Sequence, residues 1–255
     1  HAVDCDYVTS SYDYYCLYFN RDSLNIAVDD LQDNGSNGLF PSASFALESW
    51  VKPFATSSAT SDFTIQSMND CFWFGVTGSS GRLTFSSSFV APTTASLPLN
   101  VNRWNHVALS YDSVTLTGSF FINMSFAGNF LSPSASVGEV GGVGYLSFGN
   151  QVLDDSGGFS SATGRPARAF HGLIGECRYW EGSRTQAQLS SSAFSRLTGT
   201  AAGGPLAYVM FNEGPLARMG TVGNGISAGS GALDYAGRAR GRRGDYSVVK
   251  LAGFN

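Results

Sequence analysis

Between Phe148 and Phe159 the chain reads Phe148-Gly149-Asn150-Gln151-Val152-Leu153-Asp154-Asp155-Ser156-Gly157-Gly158-Phe159, with amides and carboxylates set between glycines. Calcium takes about six to eight oxygen ligands, and a backbone made pliable by glycine can fold such side chains around one centre. An ordinary Asp-rich turn is the competing reading. Asp29, Asp30 and Asp33 could add oxygens from a neighbouring loop.

Other chemistry is sparser. The histidines are His1, His106 and His171, and a histidine-pair metal site needs a third protein ligand that nothing in the sequence supplies. They read as structural residues; a copper site at His1 would need a different fold. Glycoside hydrolysis uses two carboxylates, and on one strand a same-face pair would stand two or four residues apart. Glu176 and Glu181 stand at the wrong spacing and face opposite sides. Glu48 and Glu176 could converge from separate strands, or Glu48 could pair with Lys52 or Arg178 as sheet-surface charges do. No Gly-x-Ser-x-Gly elbow is present. No catalytic residue is assigned. Arg243-Gly244-Asp245 spells an adhesive tripeptide beside Arg238, Arg240 and Arg242, but three residues recur by chance, and a basic arm reads equally well.

The elements that would position these groups are strands. Phe45 to Pro53 alternates with period two, placing Phe45, Leu47, Ser49 and Val51 on one side and Ala46, Glu48, Trp50 and Lys52 on the other. Pro53 lacks an N–H and closes it. Arg103 to Asp112 and Gly172 to Trp180 repeat the pattern, each with a tryptophan. Cys16 to Asn20 reads as a first strand with Leu24 to Val28 as its partner. Phe63 to Ser67 and Cys71 to Val76 follow, then a hairpin of Arg82 to Phe85 with Phe89-Val90. Residues 114–122 and 124–127 form another, turning at Asn123-Met124. Tyr145 to Phe148, and Leu206 to Gly214 as a last strand and turn, complete the set, and the long stretch 149–169 is of a length usually functional or mobile. One helix is expected over Thr185 to Leu197, with Thr185 and Gln188 as a capping box and Leu189, Phe194 and Leu197 as its buried stripe.

Phe45–Pro53, Arg103–Asp112 and Gly172–Trp180, in this order, resemble the laminin-G-like and pentraxin-like family of concanavalin-type jelly rolls. The closing Phe211-Asn212-Glu213-Gly214 is similar too. The resemblance covers roughly residues 16 to 214 and implies an all-β fold: a two-sheet antiparallel β-sandwich (jelly roll) with one short helix. It divides the chain into an N-terminal cuff (1–16), a jelly-roll domain (17–214) and a Gly-rich C-terminal arm (215–255). The 148–159 loop resembles the pentraxin calcium loop, which makes Asn150, Gln151, Asp154 and Asp155 the implied ligands. Val152-Leu153 stands where the family is polar, and the loop is one residue longer. The family also places Asp-Gly or Asn-Gly where this chain has Asn123-Met124.

Length and composition set the outer limits. At 255 residues the chain suits one sandwich with a sizeable core, and no repeat argues for a propeller or solenoid. Fifteen basic against 19 acidic residues leave no basic footprint for nucleic acid. No apolar run is long enough to span a membrane. The start at His1, without a leader, fits a mature secreted chain or a boundary set by hand. Four cysteines without a CxxC pair favour two disulfides, Cys5–Cys16 and Cys71–Cys177, although every pairing is open. Sequons at Asn34 and Asn123 agree with an extracellular home.

Three functions follow. The first is a secreted binding or adhesion module for glycan or an extracellular protein, calcium-dependent through the loop, with Trp50, Trp73 and Trp180 as candidate stacking platforms. The second is a structural subunit of an extracellular assembly that reaches neighbours with its terminal arms. The third is a carbohydrate-active enzyme, for which no acid pair can be named.

Overall fold

The structure is a computed structural model that describes residues 2–4, 15–20, 25–29, 43–54, 62–68, 71–135, 145–149, 151, 168–195, 205–209 and 249–252. Its strands in chain order are β1 (Ala2–Asp4), β2 (Tyr15–Asn20), β3 (Asn25–Asp29), β4 (Phe45–Pro53) and β5 (Phe63–Met68). Then come β6 (Phe72–Val76), β7 (Arg82–Ser87), β8 (Thr93–Pro98), β9 (Asn105–Asp112) and β10 (Thr117–Ile122). The last are β11 (Ser125–Leu131), β12 (Tyr145–Phe148), β13 (His171–Glu181), β14 (Pro205–Val209) and β15 (Val249–Ala252), with helix α1 (Gln186–Ser192) between β13 and β14.

They form two antiparallel sheets. One is 8-stranded, ordered β1-β2-β13-β4-β9-β10-β11 with β14 also on β13; the other is 7-stranded, ordered β15-β3-β12-β5-β6-β7-β8. The expected jelly-roll sandwich is what forms. β4 has the bounds its alternation gave, and its Phe45, Leu47 and Val51 enter the core between the sheets. Phe45 is the hub of that core, with ring centroids 5.9 Å from Phe72, 5.7 Å from Tyr111 and 6.3 Å from both Phe85 and Tyr179. A polar pin crosses the same space. Gln66 of β5 donates through Nε2 to the Glu48 carbonyl at 2.8 Å and to Ser49 Oγ at 2.9 Å on the facing sheet.

β13 holds the 8-stranded sheet together. Along one edge it pairs with β4; along the other, its first half pairs with β2 and its second with β14. β2 and β3 are therefore not a hairpin. β2 joins β1 and β13, while β3 joins β12 and β15 in the other sheet. Short strands adjacent in sequence read as a pair, but β2 and β3 belong to different layers. Phe89-Val90 likewise belong to the turn after β7, and its partner strand is β8. Both terminal segments lie in sheets: β1 edges one and β15, from the Gly-rich arm, edges the other.

Cys71 and Cys177 are free, buried thiols, which corrects the expected disulfide between them. Cys177 lies mid-strand and receives a hydrogen bond from Ser49 Oγ at 3.3 Å, with Gln66 on the facing wall. Cys71 lies in the tight turn between β5 and β6, its N–H bonded to the Met68 carbonyl at 3.2 Å. The sandwich thus sets Gln66 opposite Cys177, not Cys71. Burial pushes both thiols up to about 12, so neither is a thiolate at neutral pH. The Cys5–Cys16 pairing lies outside the described residues, since Cys5 is not among them.

Two outcomes test this fold. Alkylation in denaturant without reductant should modify Cys71 and Cys177, while the native protein leaves both unmodified in peptide maps; a disulfide would keep both unmodified until reduction. The β10–β11 turn holds Asn123 and Met124 at φ 50° and 62°, the left-handed pair that a two-residue hairpin loop of type I′ demands and that glycine adopts without strain. Met124→Gly should therefore stabilise the protein by about 1 kcal/mol in urea unfolding.

Candidate functional site

The outer face of the 7-stranded sheet carries the feet of the 151–168 loop. β12 ends in Gly149 at φ 74°, whose N–H donates to the Ile65 carbonyl at 3.1 Å and whose carbonyl accepts from Phe170 N–H at 2.8 Å. On the return side the Arg168 carbonyl accepts from Thr64 N–H at 2.7 Å. Both feet are thus stitched beside β5. Of the expected calcium ligands, Gln151 stands half-buried at the start of this loop, while Asn150, Asp154 and Asp155 lie outside the described residues. Asp30 and Asp33 lie outside them as well. Among the described residues no group of three His, Cys, Asp or Glu side chains could hold a metal.

Beside the feet, Trp73 lies across Gly75, where a Cβ would stand 2.5 Å from the indole. Its Nε1 donates to Thr64 Oγ1 at 3.0 Å, and the exposed Arg168 holds its guanidinium 4.2 Å from the ring centre. A cation on an aromatic face is stabilised by the ring quadrupole. Trp73 is only 3% exposed, so it is the floor beneath Arg168 and not the open platform expected. Arg168, which the sequence reading missed, is the exposed cation above this floor. Its signal was an arginine placed just ahead of a strand at the end of a long loop.

The outer face of the 8-stranded sheet carries a different cluster, and a β-bulge builds it. Ile174 pairs with Val51 and Cys177 with Ser49, so Gly175 and Glu176 together oppose Trp50. The extra residue reverses the alternation. Ile174 and Cys177 both face the core, and Glu176 turns outward beside Arg178. There Arg178 bonds Glu176 Oε2 at 2.5 Å and Glu48 Oε2 at 3.3 Å; Arg184 Nε stands 3.3 Å from Glu48 Oε1, and His106 Nε2 3.4 Å from Glu48 Oε2. Two carboxylates thus meet two guanidiniums, all but Arg184 almost wholly buried.

Helix α1 is the cover. Thr185 and Gln188 form the expected capping box, and Leu189 packs with Ala108 and Phe121. The far end is bound by the cluster: Arg178 donates to the Ser192 and Ser195 carbonyls at 2.7 and 2.9 Å, and Trp50 Nε1 to the Ala193 carbonyl at 2.9 Å. The helix stops at Ser192, short of its expected end, because these carbonyls bond to the sheet. Phe194 is 53% exposed, with its ring against Trp50, and is not part of a buried stripe. Trp50 and Trp180 are covered too, the latter by the Arg184 guanidinium 3.6 Å from its ring centre. Glu48 and Glu176 do converge, but on Arg178, and both are closed off from solvent. His106 belongs to this network, while the half-buried His171 packs edge-on against Phe54.

Burial pushes the Glu48 carboxyl up, but the His106 hydrogen bond and the charges of Arg178, His106 and Arg184 outweigh it and hold Glu48 below its ordinary range.

With both faces in view, the wider likenesses fall into place. Residues 29–190 match the concanavalin A-like lectin/glucanases superfamily, and the chain belongs to it. In fold it is similar to a candidate carbohydrate binding protein from Bacteroides ovatus, at 18% identity and TM-score 0.59, covering 92% of this chain and 61% of that one. The chain therefore spans about three fifths of that protein. The CBM40 of the Ruminococcus gnavus IT-sialidase, bound to α2,3-sialyllactose, matches at 14% identity and TM-score 0.50, covering 69% of this chain and 96% of that one. A SAP-like pentraxin from Limulus polyphemus matches at 15% identity and TM-score 0.47, covering 69% and 77%. No curated protein matches the sequence. No helix among the described residues is long and apolar enough to cross a membrane.

Because the folded Glu48 carboxyl is held below the unfolded one, its contribution is complete above the unfolded pKa and is lost as pH falls through the lower folded value. Unfolding free energy measured in urea should thus drop as pH falls below about 4.5. Glu48→Gln should flatten that drop and cost about 3 kcal/mol at pH 7, by leaving Arg178 and Arg184 short of charge.

Proposed function

We propose that the chain is a secreted, non-catalytic module that binds a glycan at the 151–168 loop, with calcium held by Asn150, Gln151, Asp154 and Asp155. The observation that carries this reading is the foot of that loop. An exposed guanidinium over Trp73 stands beside a long, oxygen-rich segment clamped at both ends to β5. Such a site offers charge and hydrogen bonds to a polyhydroxyl ligand, and bound calcium would supply further coordination for sugar hydroxyls. The carbohydrate-related descriptions of the Bacteroides and Ruminococcus proteins support the class, and the arginine-locked carboxylates support a non-catalytic role.

A second reading, a subunit of an extracellular assembly working through its terminal arms, draws on β1 and β15. Both termini supply edge strands, and an edge presents unpaired backbone groups to a neighbour.

Glycan-array binding followed by calorimetry, with and without a chelator, tests the first reading. The expected result is binding in calcium, its loss on chelation and in Asp154→Asn, and roughly tenfold weakening in Arg168→Ala, the size of one charged hydrogen bond. Binding indifferent to chelator would remove calcium from the proposal. Absence of any glycan binding, with discrete oligomers lost on removing residues 215–255, would favour the assembly.

A further inference from the structure

The tip of the β10–β11 hairpin carries Asn123-Met124-Ser125, an acceptor sequence for N-linked glycan. A sequon alone is weak, since such triplets arise by chance. The geometry of this one adds three facts. Asn123 is exposed at the turn, where its N–H donates to the His106 carbonyl at 2.7 Å. Its side-chain Oδ1 accepts from His106 N–H at 3.0 Å, which fixes the amide plane through the oxygen. The other half of the amide, Nδ2, has no hydrogen-bond partner among the described residues.

That asymmetry suits glycosylation. The linkage is made at Nδ2, and the oxygen remains an acceptor afterwards, so the bond to His106 survives the modification. Transfer takes place on the unfolded chain; what the fold decides is whether the product can pack. Beside the turn stands a cross-strand aromatic pair, Phe121 and Phe126, with ring centroids 6.1 Å apart at 76°. Phe121 is buried under α1, but Phe126 is 56% exposed only three residues beyond Asn123. An exposed aromatic ring offers an apolar face to the C–H side of a sugar.

We infer that Asn123 carries an N-linked glycan whose first sugar rests on the Phe126 ring. In the transfer, Nδ2 bonds to the anomeric carbon of a lipid-diphosphate-linked oligosaccharide. The anomeric C–O bond to the diphosphate breaks with its electron pair, the amide nitrogen gives up one proton, and nothing is oxidised or reduced. The inference rests on the secretory part of the proposed function and on none of its glycan-binding part.

The test imposes that route, so that its failure is distinct from failure of ligand binding. The full chain with Asn34→Gln is produced behind a secretory leader in eukaryotic cells, and protein from medium and cell interior is pooled. Peptide N-glycosidase digestion in heavy-oxygen water, with peptide mapping, reads occupancy at Asn123. Most molecules should be modified there. Ser125→Ala, which removes the sequon and keeps both Asn123 bonds, gives the unmodified comparator. The glycosylated protein should favour the native state roughly threefold or more over it, the size of one aromatic contact. Phe126→Ser should leave occupancy intact and erase that difference. An unmodified Asn123 overturns the inference outright; an advantage that persists in Phe126→Ser overturns the stacking.

Discussion

Arg178 is the charge this structure is arranged around. Taking a guanidinium out of water costs several kcal/mol unless its donors and its charge are met where it lies. Four acceptors meet it: carboxylates from β4 and from its own strand, and two carbonyls at the end of α1. No single element could supply them. The bulge at Gly175–Glu176 turns one carboxylate to the right face, β4 brings the other, and the helix must end where it does for its carbonyls to reach. Strand register, helix length and strand alternation are thereby fixed by one side chain, and a slip in any of them leaves a buried charge short of partners.

The two outer faces consequently serve different ends. On the 8-stranded sheet the polar groups answer one another beneath α1, and Glu48 and Glu176 are both held in ion pairs. On the 7-stranded sheet the polar groups at the loop's feet include an exposed cation with an aromatic floor. The first face resembles a core that happens to be charged; the second keeps its chemistry toward solvent. Such a contrast within one sandwich is a property of these side chains and not of fold membership, since superfolds host many functions.

Much of this was legible in the sequence, and the misses have physical causes. β4 was legible to the residue because its alternation is unbroken and Pro53 stops it. The capping box at Thr185 and Gln188 was equally plain, being a local arrangement of four residues. The bulge was not, although Gly175 inside a strand is its usual mark, because the alternation on either side looks sound until registers are compared. The layer change between β2 and β3 was invisible for a related reason: period two tells which residues share a face but not which strand lies alongside. Cys71 and Cys177 looked like partners because both sit in strand-like runs, yet facing positions are set by pairing, and Gln66 took the place across from Cys177. The three tryptophans were legible as sheet residues, but what covers them was not: Trp50 and Trp73 meet distant segments, and Trp180 meets Arg184 just beyond its strand.

β13 lies at the centre of the 8-stranded sheet and is among the last segments of the domain to appear in the chain. β2 waits for a neighbour more than a hundred positions downstream, and so does β4 on the opposite edge. During synthesis on the ribosome, the early strands of this layer therefore remain without their central partner until most of the polypeptide has emerged. Contacts so distant along the chain make for slow folding, and the runs β5 to β8 in the other layer and β9 to β11 in this one, whose partners are close at hand, are the parts able to form first.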